Sequence, residues 1–161
     1  VELDAAWQPD PHWSLDANVS YLDATYTNFM NTDGLNPQLG VQNLDGHTLD
    51  NAPRFSSNVG IGYRTDATSA GRFSARLDTS YRSRIYFREF NTPLDSQAAY
   101  GLLNLSLLWD SPDQRYSVRL YATNLTNQPY IEAMGDSTSI GTRYVTWGAP
   151  RQVGFEARAH F

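Results

Sequence analysis

Cysteine and lysine are both missing from this chain, and all 12 of its basic residues are arginine. Without cysteine there is no disulfide framework, thiol nucleophile or cysteine metal site. Without lysine the chain lacks the commonest charge that blunts the edges of soluble sheets, and every cation it has tolerates partly buried, bidentate pairing with carboxylates. Long apolar runs are missing too, since none approaches the roughly 20 residues of a membrane-crossing helix. Positive charge is scarce, with 17 acidic residues against 12 arginines and a formal net charge of −5. That balance, without a basic patch, argues against a nucleic-acid partner. The histidines His12, His47 and His160 are scattered, no Ser/His/acid grouping is visible, and Asp33, Asp45 and Asp50 lack the spacing of an EF-hand loop. No metal, cofactor or catalytic residue is therefore expected. There is no initiator Met or targeting segment, and Val1 reads as lying inside a strand already under way, so the chain is expected to be a piece of a longer one.

What the chain has is period-two alternation and aromatics, the latter at 13%. A strand turns successive side chains to opposite faces. The apolar sets are Leu3, Ala5, Trp7; Trp13, Leu15, Ala17, Val19, Tyr21; Phe55, Val59, Ile61, Tyr63; and Phe73, Ala75, Leu77, Tyr81, Ile85, Phe87. They continue with Leu103, Leu105, Leu107, Trp109; with Tyr116, Val118, Leu120, Ala122; and with Val153, Phe155, Ala157, Ala159, Phe161. The pattern predicts an all-β, antiparallel up-and-down meander of seven long strands over a single segment, residues 1–161. The opposite faces carry Arg76, Asp78, Arg82, Arg84 and Arg88 on one strand, and Arg119, Glu156 and Arg158 further on.

Connections alternate in length. Gln8 to His12, Thr65 to Gly71 and Ser111 to Gln114 are short and rich in turn formers, whereas Thr27 to Pro53, Glu89 to Ala98 and Thr126 to Gly141 are long. Short turns at one end and long loops at the other mark an outer-membrane barrel, with a polar lumen and a lipid-facing apolar band. Beside the short turns and at the C-terminus stand Trp7, Trp13, Tyr63, Phe73, Trp109, Tyr116 and Phe161, all on the apolar face. Amphipathic rings settle at a membrane–water interface in this way. A soluble β-barrel binding module would instead bury Trp7, Trp13, Leu105, Val118 and Phe155 in a filled interior. A small passive outer-membrane pore or structural barrel is the other alternative.

Three local patterns now combine: Gly46-His47-Thr48-Leu49-Asp50-Asn51-Ala52-Pro53, then Asn124-Leu125-Thr126-Asn127-Gln128-Pro129-Tyr130, then Gly148-Ala149-Pro150-Arg151 before the last strand. In this order the chain resembles the C-terminal barrel region of TonB-dependent outer-membrane receptors of the siderophore-receptor type. The resemblance implies a barrel of about 22 strands closed around a plug domain, of which these would be the last seven. It implies a transporter, not an enzyme, importing ferric siderophores or similar scarce ligands across the bacterial outer membrane with energy passed on by TonB. The plug and the earlier strands lie outside these residues, so TonB would act only through that absent plug. Seven strands alone leave two open edges, predicting a curved open sheet, a partial barrel. The resemblance also makes Tyr26, Phe29, His47, Arg88, Phe90, Arg143 and Tyr144 loop candidates for contact with an iron chelate. The lumen charges would attract an anionic ligand, contact the plug or pair among themselves. Phe155 and Phe161 resemble the signal read by the barrel-assembly machinery, which joins lipid among the implied partners.

Overall fold

The computed structural model describes residues 1–160; Phe161, expected as a girdle aromatic and assembly signal, lies outside them. In chain order, β1 (Glu2–Trp7) and β2 (Trp13–Tyr21) are followed by a small hairpin of β3 (Met30–Thr32) and β4 (Val41–Asn43). Next come β5 (Phe55–Arg64), β6 (Arg72–Arg82), the short pair β7 (Ile85–Tyr86) and β8 (Ser96–Gln97), β9 (Tyr100–Asp110) and β10 (Tyr116–Thr123). A second hairpin, β11 (Ile131–Ser137) and β12 (Thr142–Trp147), precedes β13 (Gln152–Ala159). One seven-stranded antiparallel sheet runs β1-β2-β5-β6-β9-β10-β13, and β1 and β13 remain unpaired with one another. The sheet is open, the partial barrel that the alternation implied.

Register is continuous across the sheet and separates two faces. Trp13 sits opposite Tyr63, Ile61 opposite Leu77, Phe73 opposite Trp109, Leu107 opposite Leu120, and Leu120 opposite Phe155. Directly paired residues share a face, so these apolar side chains form one surface. It is not turned inward: Trp7 is 63% exposed and Phe155 75% exposed, and none of Trp7, Trp13, Leu105, Val118 and Phe155 is buried. Among the described residues no filled interior forms on that side, unlike the arrangement expected of a soluble binding module.

The same face holds a second aromatic group that the turn-side girdle did not foreshadow. Tyr21 pairs with Phe55, and the Phe55 and Tyr81 rings stand 5.9 Å apart. In β2, β5 and β6 alike, eight residues separate the loop-side aromatic from the turn-side one (Trp13 and Tyr21, Phe55 and Tyr63, Phe73 and Tyr81). At ~3.3 Å per residue that is about 26 Å along the strand, close to the roughly 25 Å apolar band of outer-membrane barrels.

Two expectations shift. Alternation carries on to Phe87, but β6 ends at Arg82, where Ser83 N–H donates to Phe55 O and Phe55 N–H to Ser83 Oγ. The chain then leaves the sheet to pair Ile85 with Gln97. Ile85 and Phe87 are consequently buried with Leu44, Phe90 and Tyr100 beneath the loops rather than on the apolar face, and Arg84 and Arg88 no longer extend the row begun by Arg76 and Arg82. The third long connection also runs past Gly141, because Thr142–Trp147 forms the return strand of its hairpin. The compact core of this chain sits among the loops, at one end of the sheet.

Candidate functional site

At the turn end of the polar face, charges pair with one another. Arg76 Nε–H donates to Asp78 Oδ1 at 2.9 Å, and its Nη2 to Asp16 Oδ1 at 2.8 Å. Gly60 lies opposite both Asp16 and Asp78, and a Cβ there would overlap the Arg76 guanidinium, so the glycine makes room for the bridge. Arg119 donates from Nε to Ser106 Oγ and stands over the Tyr121 ring at 5.4 Å; Glu156 pairs with Arg158 along β13. Arg82 lies at the loop end of this face, exposed, and Arg84 is exposed beyond the strand.

At the loop end, the three long connections are tied by buried charge. Arg88, from the second, donates from Nη2 to Asp33 Oδ1 of the first at 2.6 Å. Its Nη1 reaches Asp95 Oδ2 at 3.5 Å and its Nε reaches Asp136 Oδ1 of the third at 3.5 Å. Arg143, also of the third, donates from Nε to Asp95 Oδ1 at 2.6 Å, and Thr92 Oγ1 donates to Asp95 Oδ2 at 2.7 Å. Asp33 and Asp95 are almost completely buried. For Arg88, burial opposes the charged form, yet the Asp33 hydrogen bond and the charges of Asp33, Asp95 and Asp136 hold its pKa above the ordinary guanidinium value. For Asp33, burial pushes the carboxyl up, but hydrogen bonds from Arg88, Asn36 and the Leu35 N–H together hold it below the usual carboxylate value.

The other loop candidates occupy the same assembly. Phe90 is buried with the Arg88 guanidinium 5.0 Å above its ring. Tyr26 and Phe29 stack on each other at 4.7 Å, and burial followed by the Asp50 and Glu89 charges raises the Tyr26 phenol. His47 Nδ1 lies 2.9 Å from Glu89 O, and Asn91 spans to Thr48 in both directions, through its Oδ1 and its Nδ2. Tyr144 is exposed and lies against Gly135. Arg88 and Arg143 thus have their charge neutralised within the protein. Among the described residues no group of three His, Cys, Asp or Glu side chains is placed to hold a metal.

The local motifs prove to be joints. Asn124, 4% exposed and at φ 46°, donates from Nδ2 to Gln128 O and Ala149 O while its Oδ1 accepts from Gln128 N–H. Asn127 Oδ1 accepts from Arg151 N–H, and Gly148 N–H donates to Tyr130 O. The Asn-Leu-Thr-Asn segment and the Gly-Ala-Pro-Arg segment therefore meet side by side and bring β13 back beside β10. Tyr130 stacks on Tyr100 at 4.9 Å, with Gly148 against its ring.

Between these joints and the sheet is a recess of roughly 490 Å³. Its floor is three strands wide, with Arg82 opposite Ser56 on one side and Tyr100 on the other. Sequence reading placed Arg82 on the lumen face but missed this recess, Asp33 as an ion-pair partner, and Asp95 and Asp136 altogether; all of them rely on contacts between distant segments.

The family model for the TonB dependent receptor-like β-barrel matches residues 1–125. Among solved structures, the ferric yersiniabactin uptake receptor FyuA of Yersinia pestis superposes with a TM-score of 0.80 at 24% identity, over 99% of this chain and 23% of that one. The siderophore receptor PiuA of Acinetobacter baumannii gives 0.74 at 16% identity, over 97% and 20%. The ferric preacinetobactin receptor BauA of the same organism gives 0.69 at 23% identity, over 97% and 21%. This chain spans less than a quarter of each of these proteins. Comparison with curated proteins gives no match. A sheet of this register, with its apolar face outward, and a family match over most of the length agree: the chain belongs to the β-barrel family of TonB-dependent receptors.

Proposed function

We propose that this chain is a wall segment, the C-terminal seven strands, of an outer-membrane receptor that imports a ferric siderophore or a similar scarce ligand. The observation that carries the reading is the sheet's inverted polarity in a member of this receptor family: large apolar side chains exposed on one face, paired charges on the other. Lipid covers the apolar face, the short turns face the periplasm and the long loops face outward, where ligand arrives. The ligands named for FyuA and BauA, both ferric chelates, support iron as cargo. Energy would come from TonB through a plug outside this chain, and no catalytic chemistry is assigned to the segment.

The test is ⁵⁵Fe uptake from a panel of ferric chelates by cells whose only siderophore receptor is the complete protein containing this segment. Uptake that vanishes without TonB is expected. Uptake of small solutes that persists without TonB would instead identify a passive pore.

A further inference from the structure

The three long loops are fastened to one another at two heights. Near the sheet, Asn51 N–H of the first loop donates to Tyr86 O of the second, and Ile131 N–H of the third donates to Gln97 Oε1 of the second. Further out, the buried Arg88 of the second loop holds Asp33 of the first and Asp136 of the third, while Asp95 holds Arg143 of the third. The second loop is the part that both others grip, and its own bonds keep it in shape: Phe87 N–H donates to Asp95 O, and Thr92 Oγ1 to Asp95 Oδ2.

The first and third loops also meet directly. A Cβ at Gly34, next to Asp33, would stand 3.1 Å from Thr138 Cβ at the tip of the β11–β12 hairpin. Segments that open as lids come from the weakly packed end of a structure, where little apolar surface is buried and backbone bonds are exposed. Here Leu44 of the first loop and Phe87 and Phe90 of the second are buried, and so are Arg88, Asp33 and Asp95. Sliding one loop past another would leave a buried charge short of its partner, which is strongly destabilising. Every one of these ties lies within this chain, so the rest of a receptor can add to them but need supply none.

We infer that the three long loops form one rigid cap, a fixed wall of the ligand's entry path that keeps its internal contacts while ligand passes. Any opening over this part of the barrel is motion of the cap as a unit, or of loops outside this chain. The inference rests on the receptor reading for the entry path, and on the contacts alone for the cap.

The described segment has no cysteine, so Gly34→Cys and Thr138→Cys can be combined in the complete receptor to lock the first loop to the third. Their Cβ atoms need part only slightly to reach the separation of about 3.5–4.5 Å in a disulfide, and the bond is expected to form at the oxidising cell surface. ⁵⁵Fe uptake from a ferric chelate by cells carrying the locked receptor is expected to equal that of the same cells after reduction, with wild-type cells treated alike. A disulfide that stops uptake until it is reduced would show that the loops must part, and failure of the bond to form would place their tips apart; either overturns the cap. Asp136→Asn in the purified complete receptor tests the cap without transport. Hydrogen exchange is expected to quicken about tenfold at residues 30–43 of the first loop as well as at residues 131–147 around the substitution, since members of one ion-pair network are coupled. Quickening confined to residues 131–147 would overturn the cap and leave TonB-dependent uptake, and the receptor reading, standing. A ready disulfide and coupled exchange in a protein that takes up no ferric chelate would retain the cap and sink the receptor reading.

Discussion

Arg88 is the residue on which the outer end of this segment turns. It holds Asp33 and Asp136 from the neighbouring loops and shares Asp95 with Arg143. Removing one partner of a buried ion pair commonly costs about 3–5 kcal/mol, because the remaining charge stays buried without compensation. Arg88→Met in the complete receptor is therefore expected to open the loops without unfolding the sheet. Hydrogen exchange should quicken at residues 30–43 and 131–147 and stay slow in β5, β6 and β9; equal exchange in the loops would refute the role. The same cluster gives a pH dependence whose sign follows from Asp33. Its folded-state pKa is depressed, so the stability it contributes is fully present above the ordinary carboxylate value of about 3.9 and is lost as pH falls through the lower folded value. Loop protection should accordingly hold from neutral pH down to about 4 and fail only below that. Loss of protection already at pH 6 would contradict it. Arg88 and Arg143 were singled out in the sequence, but their partners were not legible, because the bonds join residues 48 and 55 positions apart and alternation carries no information about loop-to-loop contacts.

Elements tell a different story, since a strand's two faces are written locally. Every strand of the large sheet was readable from its alternation, and the short turns from their Pro, Asp and Gly content. Boundaries were not readable where parity survives a break: Ser83 and Arg84 leave Ile85 and Phe87 in phase with β6, though they belong to the loop core. The hairpin β11–β12 escaped because neither Ile131–Ser137 nor Thr142–Trp147 keeps a clean apolar alternation, and Tyr144 opposite Gly135 is a pairing visible only in register. Turn chemistry also sets an expectation at this scale. Gly71 adopts φ 101°, closes the β5–β6 turn by exchanging backbone hydrogen bonds with Thr68, and sits where a Cβ would strike the Asp110 carbonyl oxygen. Backbone on β9 cannot yield without breaking its ladder with β6. Gly71→Ala should destabilise the turn by about 1–3 kcal/mol, from strain at positive φ and from the collision. A lowered Tm of the refolded receptor measures it, and an unchanged Tm would mean that the turn adapts.

For the whole molecule, the governing fact is that its largest apolar surface is exposed while its small core lies among the loops. In water such a sheet would be an association surface; in a bilayer lipid would wet it, and the polar face, where Arg76 and Arg158 pair with carboxylates, would turn away. The two aromatic levels give this arrangement a height. Trp7, Trp13 and Trp109 lie at the turn end, with the Trp109 indole N–H donating to Ala70 O at the turn, whereas Trp147 sits out on the third loop. Amphipathic rings at an interface should lie near the headgroup end of the acyl chains, and a loop ring should lie beyond them. Variants of the complete receptor that keep one of these four tryptophans at a time, reconstituted in phospholipids brominated at defined depths, separate these positions. Trp7, Trp13 and Trp109 should be quenched most by bromines near the headgroups and less by bromines at the chain ends, and Trp147 by neither. Equal quenching of Trp147, or none of the other three, would show that the apolar face is not the lipid face, and the placement of the short turns at the inner surface would fall with it.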